Sequence, residues 1–403
     1  MRFPRILSVI GSLDPSGGGP PEACVAMARE FRSLGVDAEI LTLDRPGADW
    51  GTGAGLTVYQ LGPALGKYRY TGNLVSWVRA KAPNYDAVFI HGLWGYWMLG
   101  TWLGLRKRVP YFVYPHGMLD PWFRKAYPAK HLKKWVYWHL FEARILREAS
   151  GVLFTCEEER RLGRESFGYN GWRDLVIPYG VPDPGPAKAG DAAAFAQKFP
   201  NLKEKKIWLF LGRIHPKKGC DLLIEAFSQV RHLDPNVWLL FVGPDEGGWR
   251  NFLERFAKDK RVGDRIVWAG PLYGEWKWRA IRASELLVLP SHQENFGRVV
   301  AEALACGVPV LITKSINIWR EIESDGAGMV CDDELRSLTG SLQAWIQIPQ
   351  VKRVQYAEKA RRCFENRFWI RRAAEFLLGI VRGLTGNGKS NGKTLCPTVV
   401  VRT

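Results

Sequence analysis

Two glutamates with seven residues between them mark the sharpest candidate site in the chain. Glu294 and Glu302 stand at the two ends of Glu-Asn-Phe-Gly-Arg-Val-Val-Ala-Glu, and a strand-like run, Leu-Leu-Val-Leu-Pro, comes just before it. A helix is predicted to begin near Phe296 or Gly297. Carboxylates accept paired hydrogen bonds from vicinal sugar hydroxyls, and a helix N-terminus favours an anion. The spacing therefore predicts a site that holds two sugar rings with a diphosphate between them.

Glu302 is the less ordinary member of this pair. A solvent-facing helical glutamate is the usual alternative, but the other residues of 299–305 are all valine, alanine and leucine. A carboxylate inside such an apolar stretch needs a charged or hydrogen-bonding partner. We therefore expect Glu302 to have one.

Three cations form a second candidate site. Arg213 ends an apolar strand in Leu-Phe-Leu-Gly-Arg-Ile-His-Pro-Lys-Lys-Gly, and Lys217 and Lys218 follow before a helix that opens near Gly219. An arginine at a strand end and a lysine five residues later can clamp a diphosphate from two sides. A solvated basic loop is the alternative. The position at the carboxyl end of a strand favours the diphosphate site.

A glycine-rich turn and two histidines are the candidates in the first half. Residues 17–20 read Gly-Gly-Gly-Pro between the first predicted strand and the first predicted helix. Glycine allows a ligand to approach the backbone closely, and proline suits a first helical turn, although a plain flexible turn has the same composition. His91 and His116 each follow a strand and precede a glycine. Each could reach a ligand or merely cap its strand.

Residues 121–147 interleave aromatic and basic side chains, among them Trp122, Lys133 and Lys134. This mixture suits an interfacial helix on anionic lipid, and it also suits a groove in which aromatic faces stack on an acceptor sugar. A core helix with a solvated basic face is the third interpretation. Trp122, Lys133, Lys134 and His91 are predicted to contact an acceptor or a membrane.

Short apolar runs alternate with helical patterns in the first half of the chain. Uniformly apolar strands separated by helices indicate a parallel sheet covered on both faces. The predicted strands are 5–11, 37–43, 56–61, 86–91, 110–114, 151–155 and 174–178. The predicted helices are 20–34, 71–82, 95–107, 129–148 and 157–167. Residues 1–182 are therefore predicted to form a first Rossmann-like domain.

A change of composition and a second alternation follow. Residues 183–206 combine proline, glycine, alanine and a charged run, which is typical of a linker. The predicted strands beyond it are 207–213, 237–243, 265–269, 286–290 and 308–312. The predicted helices are 219–232, 247–259, 275–283, 297–306, 317–324, 333–346 and 350–364.

These elements predict the remaining domain organisation. Residues 207–365 are predicted to form a second Rossmann-like domain. Residues 366–384 are predicted as a helix that crosses back to the first domain, and 385–403, rich in Gly, Ser and Lys, as a disordered tail. Because doubly wound sheets bind ligands beyond the carboxyl ends of their strands, the active site is expected in a cleft between the two sheets.

Charge and cysteine content narrow the class of partner. The formal charge is +17, from 57 Lys and Arg against 40 Asp and Glu, which favours anionic partners. The cations are dispersed and no nucleic-acid motif is present, so no nucleic acid is expected.

Seven scattered cysteines without a CxxC pair indicate a reduced, cytoplasmic compartment. The longest uncharged stretch, 91–105, is shorter than the roughly 20 apolar residues of a membrane span.

The second half resembles the retaining glycosyltransferases of family 4, which have the two-domain GT-B fold. The motifs that carry this resemblance over about 207–330 are Gly212-Arg213, Lys218-Gly219, Pro290-Ser291, Glu294-Asn295-Phe296-Gly297, Glu302 and the run Ala-Leu-Ala-Cys-Gly-Val-Pro-Val at 303–310. The first half matches more loosely, through the glycine turn and the run Pro-His-Gly-Met-Leu-Asp-Pro at 115–121. That run is similar to a subset that builds bacterial polysaccharides and lipid-linked oligosaccharides.

The resemblance implies that the first domain, residues 1–182, binds the acceptor and that the second, residues 207–365, binds the nucleotide sugar. Arg213 and Lys218 would neutralise the donor diphosphate and stabilise the leaving nucleoside diphosphate. Glu294 would hold hydroxyls of the transferred sugar, and Glu302 would hold those of the ribose. The backbone N–H groups of Asn295, Phe296 and Gly297 would contact phosphate.

It also implies roles for the first domain. Gly18 and Gly19 would approach the donor phosphates and the acceptor, and His116 would lie near the transferred sugar. The expected catalytic set is His116, Glu294, Arg213 and Lys218. No cofactor and no divalent metal are expected, and the chain has no Asp-x-Asp motif.

The implied activity is retaining transfer of a sugar from a nucleoside-diphosphate sugar to a glycan or lipid-linked acceptor. The implied setting is synthesis of bacterial exopolysaccharide, O-antigen or capsule, in the cytoplasm or peripherally on the inner face of the cytoplasmic membrane. A GT-B-fold sugar-nucleotide epimerase is the rival enzyme, since it would use the same donor clamp without an acceptor. A basic non-enzymatic protein that binds membrane or nucleic acid is the rival of another class.

Overall fold

Two parallel β-sheets carry the fold in the computed structural model, which describes residues 4–50, 55–122, 124, 128–168 and 171–385. The first sheet consists of β1 (Arg5–Ile10), β2 (Asp37–Thr42), β3 (Thr57–Gln60), β4 (Ala87–His91), β5 (Tyr111–Tyr114), β6 (Gly151–Phe154) and β7 (Asp174–Val176). The second consists of β8 (Lys206–Leu211), β9 (Val237–Val242), β10 (Ile266–Gly270), β11 (Leu286–Leu289), β12 (Val310–Thr313) and β13 (Gly328–Cys331). All pairings are parallel, as the uniformly apolar strands predicted.

The strand orders are those of doubly wound domains. The first sheet runs β3-β2-β1-β4-β5-β6-β7 and the second β10-β9-β8-β11-β12-β13. In each sheet the order reverses beside the domain's first strand, and ligands of such sheets bind at this switch point. The predicted class of two Rossmann-like α/β domains is confirmed.

Helices cover both sheets. Those of the first domain are α1 (Gly19–Ser33), α2 (Leu74–Lys81), α3 (Tyr96–Leu105), α4 (Pro128–Tyr137), α5 (Ala143–Glu148) and α6 (Glu157–Ser166), with a π-helical turn, Trp138–Glu142, between α4 and α5. Those of the second part are α7 (Asp191–Lys198), α8 (Cys220–Val230), α9 (Trp249–Asp259), α10 (Glu275–Arg282), α11 (Arg298–Ala305), α12 (Trp319–Asp325), α13 (Leu335–Gln347), α14 (Gln350–Cys363) and α15 (Ile370–Thr385). The π-helical turn divides the single helix predicted over 129–148.

The segment predicted as a linker, 183–206, contains helix α7. Asp191 at its first position is buried, and its carboxylate accepts a 2.7 Å hydrogen bond from Arg279 Nε on α10. The helix therefore packs with the second domain. The prediction of a plain linker was wrong here, because the Ala-rich run that follows Asp191 is itself a strong helix former with an acid in its first turn.

The last helix returns to the first domain. Helix α15 packs against α1, where Arg371 lies 3.7 Å from Glu30. Before it, Val181 N donates to Phe368 O at 2.8 Å and Ile370 N donates to Val181 O at 3.1 Å. Beyond Thr385, the predicted disordered tail lies outside the described residues. Among the described helices, none has the length and apolar content needed to cross a membrane.

Candidate active site

A cavity of about 690 Å³ lies between the two domains. Its size is in the range of small-ligand sites. The first domain lines it with Pro15, Ser16, Gly18, Gly19, Pro20, Glu22, His116, Thr155 and Tyr179. The second lines it chiefly with Gly212, Arg213, Lys218, Leu272, Tyr273, Lys277, Glu294, Asn295, Phe296, Gly297, Arg298 and Glu302. Every residue predicted as catalytic or donor-binding is among these, so the structure brings the two motif sets together.

The two predicted cations lie just beyond β8. Arg213 NH1 lies 2.7 Å from Glu246 in an exposed ion pair, whereas Lys218 is largely buried and its Nζ contacts Glu294 Oε1. Burial, helped by the charges of Arg213 and Lys217, lowers the pKa of Lys218 to about 8. A half-desolvated ammonium of this kind interacts strongly with an incoming anion.

Gly219 explains why the lysine is followed by glycine. Its φ is +65°, and a Cβ there would lie 2.1 Å from Pro290 O. Only glycine fits such a left-handed position against another backbone. The close approach brings Lys218 to the strand end that leads to Glu294, which accounts for the contact between these two side chains.

The glutamate pair stands at the mouth and in the interior of α11. Gly297 with φ +68° caps the helix, which begins at Arg298, and Glu294 lies in the loop before it. Glu302 is buried, with Oε1 2.9 Å from Lys277 Nζ and 3.7 Å from Arg298 NH2. Lys277 on α10 is thus the partner that the apolar sequence around Glu302 required. No motif in the sequence pointed to Lys277.

The first domain meets the glutamate motif through a strained loop. His116 has φ +53° and Gly117 has φ +74°. A Cβ on Gly117 would lie 2.7 Å from Asn295 Cγ, so glycine lets this loop approach the second domain. Two further contacts join the domains nearby: Gln293 Nε2 donates to Asp120 Oδ2 at 2.8 Å, and Arg298 Nε lies 3.4 Å from Glu22.

A buried glutamate that the sequence analysis missed supports this loop. Glu159 accepts hydrogen bonds of 2.6 Å from Gly117 N, Thr155 N and Thr155 Oγ1. Burial raises the pKa of its carboxyl group. The spacing from Cys156, whose sulfur accepts from Glu159 N, resembles a capping box and could have identified this residue.

His91 lies beneath His116 rather than on an outer surface. It is buried, and its Nδ1 is 3.2 Å from both His116 Nε2 and the hydroxyl of Tyr179. Burial lowers the pKa of His91 to about 3 and that of His116 well below its usual value, so both rings are neutral at physiological pH. His91, which was predicted to contact an acceptor or a membrane, therefore lies inside the core, where β4 ends, and its direct contact is with His116.

The other three predicted acceptor or membrane residues lie outside the cavity, in two places. Trp122 lies beneath Lys217 of the second domain, with the ammonium 4.9 Å from its ring centroid. Lys134 lies over Trp94 at 4.8 Å, and Lys133 is exposed on α4. None of the three lines the cavity. Over the described part of the chain, no cluster of three or more His, Cys, Asp or Glu side chains is arranged to hold a metal ion.

Sequence models of two protein families match the chain, one in each domain. The model described as "Glycosyl transferase 4-like domain" matches residues 18–180. The model described as "Glycosyl transferases group 1" matches residues 191–363, which include α7. Together they span all the residues that line the second domain's side of the cavity and most of those on the first domain's side.

Individual relatives agree with these families. A D-inositol 3-phosphate glycosyltransferase of Geodermatophilus obscurus is 31% identical over 196 residues, which is 47% of this chain and 43% of the relative. The match covers 43%, 43% and 55% of the length of three relatives with that name.

Two solved structures share the fold over nearly the whole chain. Sucrose-phosphate synthase from Thermosynechococcus elongatus superposes with a TM-score of 0.75 at 20% identity, covering 95% of this chain and 99% of its own. Anabaena HepE, solved in complex with UDP and glucose, gives 0.74 at 18% identity, covering 94% of this chain and 100% of its own. At such identities the likeness shows the fold alone.

Proposed function

The chain belongs to the group 1 glycosyl transferases, and we propose that it transfers a sugar from a nucleoside-diphosphate sugar to an acceptor hydroxyl with retention of configuration. One observation carries the proposal. The second domain lines one cavity with a buried carboxylate, Glu302, the helix N-terminus at Gly297, the two cations Arg213 and Lys218, and a second carboxylate, Glu294, which contacts Lys218. Ribose, diphosphate and transferred sugar present groups complementary to these.

The second domain supplies the electrostatic part of the mechanism. Cleavage of the glycosidic bond leaves a negative charge on the nucleoside diphosphate, and Arg213 and Lys218 stabilise that charge as it develops. The backbone N–H groups at the start of α11 add to the same field. Glu294, held by Lys218, accepts hydrogen bonds from hydroxyls of the sugar while its anomeric carbon becomes oxocarbenium-like.

The first domain supplies positioning without charge. The partly buried, neutral ring of His116 forms a hydrogen bond with a sugar hydroxyl and adds no cation beside the oxocarbenium-like centre. The 3.2 Å contact with His91 fixes the orientation of that ring. Gly18, with φ +82° and an open space where a Cβ would be, lets the donor phosphates and the acceptor approach the backbone.

The donor and acceptor classes complete the proposal. Binding of UDP and glucose by the fold relative HepE supports a uridine nucleotide sugar as the first donor to test. We propose a glycan or lipid-linked sugar as acceptor, in bacterial polysaccharide synthesis at the inner face of the cytoplasmic membrane. No metal or other cofactor takes part in the proposed reaction.

The test follows nucleotide release and products together. The purified chain is incubated with UDP-, GDP- and ADP-sugars, with and without a lipid-linked oligosaccharide fraction from bacterial membranes. We expect nucleoside diphosphate release that depends on the acceptor and a product whose anomeric coupling constant matches that of the donor. Conversion of the nucleotide sugar into an epimer without acceptor would replace the transferase by an epimerase. No reaction with any donor would contradict the proposal.

A further inference from the structure

Four large apolar side chains are exposed within nine residues of the first domain. Leu132 is 66% exposed, Trp135 and Val136 are each 49% exposed, and Leu140 is 62% exposed. Leu132, Val136 and Leu140 follow one another at intervals of four residues, so they form one row along α4 and the π-helical turn. Elsewhere among the described residues, large exposed apolar side chains are scattered, with at most two close together in sequence. A concentrated row of this kind marks an interaction surface.

Cations accompany this row and exposed acids do not. Lys133 lies within it, and Arg144 and Arg147 continue it on α5; all three are exposed. The only carboxylate between residues 128 and 147 is Glu142, which is buried and accepts a 2.7 Å hydrogen bond from Trp94 N. Glu148, which follows Arg147, is only partly exposed and pairs with Arg144 at 3.0 Å. An apolar row edged by cations matches an anionic apolar surface.

The row lies directly behind the loop that carries His116. Lys134 of α4 lies over the ring of Trp94, and Trp94 Nε1 donates a 3.3 Å hydrogen bond to Met118 O, two residues from His116. Helix α4 also contacts a second segment of the first domain, the short turn closed by an antiparallel bridge between Leu65 and Tyr70. The hydroxyl of Tyr137 is 2.7 Å from that of Tyr68 in this turn, and Leu65 is exposed there. The exposed row is therefore one packing layer from the first domain's wall of the cleft.

We propose that this docking face, formed by Leu132, Lys133, Trp135, Val136, Leu140 and Arg144, binds an anionic phospholipid bilayer. Leu132, Val136 and Leu140 enter the boundary between head groups and acyl chains, Trp135 lies at the head-group level, and the cations meet lipid phosphates. The net charge of +17 draws the whole chain to such a surface. One part of this inference rests on the proposed function: membrane binding would present a lipid-linked acceptor beside the cleft.

The test is sedimentation of the full chain with vesicles. Phosphatidylcholine vesicles are compared with vesicles of equal parts phosphatidylglycerol and phosphatidylcholine, at low and high salt. We expect binding to the anionic vesicles that weakens with salt, a loss of at least tenfold for Val136→Glu, and a loss of about fivefold for Lys133→Gln. Val351→Glu is the matched control, because Val351 is an exposed helical valine of the second domain. It is expected to bind as wild type does.

Three readings separate this inference from its alternatives. Equal vesicle binding by wild type and Val136→Glu, or equal binding to both vesicle types, would overturn it. A dimer in solution that Val136→Glu dissociates would assign the face to a second copy of the chain and also overturn it. UDP binding, measured without vesicles in each variant, tests the proposed function separately. If wild type does not bind UDP, the proposed function is contradicted, but the vesicle-binding result still holds.

Discussion

The two walls of the cleft are built on opposite electrostatic principles. The second domain's wall pairs charge with charge: Lys218 contacts Glu294, and Lys277 lies 2.9 Å from Glu302. The first domain's wall presents a neutral cluster in which His116 rests on His91. A polyanionic donor needs the charged wall of the second domain, because its diphosphate must be neutralised and its hydroxyls must be held by hydrogen bonds. The site of transfer is better served by the second kind, which orients a sugar without adding charge.

The walls also differ in how the chain assembles them. Most of the donor wall comes from short motifs at strand ends and helix starts, which hold Arg213, Lys218 and Glu294; Glu302 lies inside α11 and Lys277 inside α10. The neutral wall joins residues from distant loops: Glu159 supports Gly117, and Tyr179 contacts His91. Charged groups placed at strand ends and helix starts therefore leave a compact sequence signal, whereas a neutral packed cluster leaves a diffuse one.

The largest expected effect comes from breaking the charged wall. Lys218→Met removes the largely buried ammonium and leaves Glu294 without its contact, so we expect kcat/KM to fall by about 100- to 1,000-fold, as for other groups that stabilise developing charge. Lys217→Met, the neighbouring lysine that lies over Trp122, is expected to lose at most about tenfold in the same steady-state assay. If kcat/KM falls equally in the two variants, Lys218 has no special role compared with the neighbouring cation Lys217.

A smaller effect is expected where the walls touch. Gly117→Ala places a Cβ 2.7 Å from Asn295 Cγ, so the two domains cannot close fully, and kcat/KM should fall by about 10- to 100-fold. Gly248→Ala is the control, since Gly248 has the same φ of +74° but open space around it. Both variants pay a similar backbone strain of about 1 kcal/mol, and differential scanning calorimetry should show similar melting temperatures. Full activity of Gly117→Ala would mean that this contact does not matter for transfer.

The smallest effect is a pH dependence of stability that belongs to the neutral wall. The pKa of His91 is about 3 in the folded chain and about 6.5 when unfolded, so below pH 6.5 only the unfolded state takes up this proton. Stability contributed by the neutral ring is complete above pH 6.5 and is lost toward pH 3, at about 1 kcal/mol per pH unit.

His91→Gln should therefore flatten the decline of the unfolding free energy between pH 6.5 and 5, measured by urea titration at each pH. An unchanged slope would show that His91 is not held neutral by the fold.

The sequence predicted the fold well where periodicity was strong. The strands of both sheets were found because they are short, apolar and separated by helices. Strand β13 was missed, since Gly-Met-Val-Cys is short and begins with glycine. The helix α7 was not predicted, because the prolines and glycines of residues 183–206 indicated a linker. Tertiary packing against α10, which no local pattern encodes, decides its place.

The candidate site divides in the same way as the two walls. Glu294, Glu302, Arg213 and Lys218 were predicted from type and spacing, and the structure places them around one cavity. Lys277 was not predicted, because it is an ordinary lysine on an amphipathic helix until α10 packs beside α11. The aromatic and basic segment was recognised as unusual, but which of its residues are exposed depends on the π-helical turn.

The most direct test of the donor site is calorimetric titration of UDP into wild type, Glu302→Gln and Glu294→Gln. We predict that UDP binds wild type and that Glu302→Gln weakens binding by about 10- to 100-fold, the value of hydrogen bonds to a charged group. Glu294→Gln should leave UDP affinity within about threefold, because UDP lacks the transferred sugar. If wild type binds none of UDP, GDP and ADP, the assignment of this wall to a nucleoside diphosphate is contradicted. It is also contradicted if Glu302→Gln binds UDP with the same affinity as wild type.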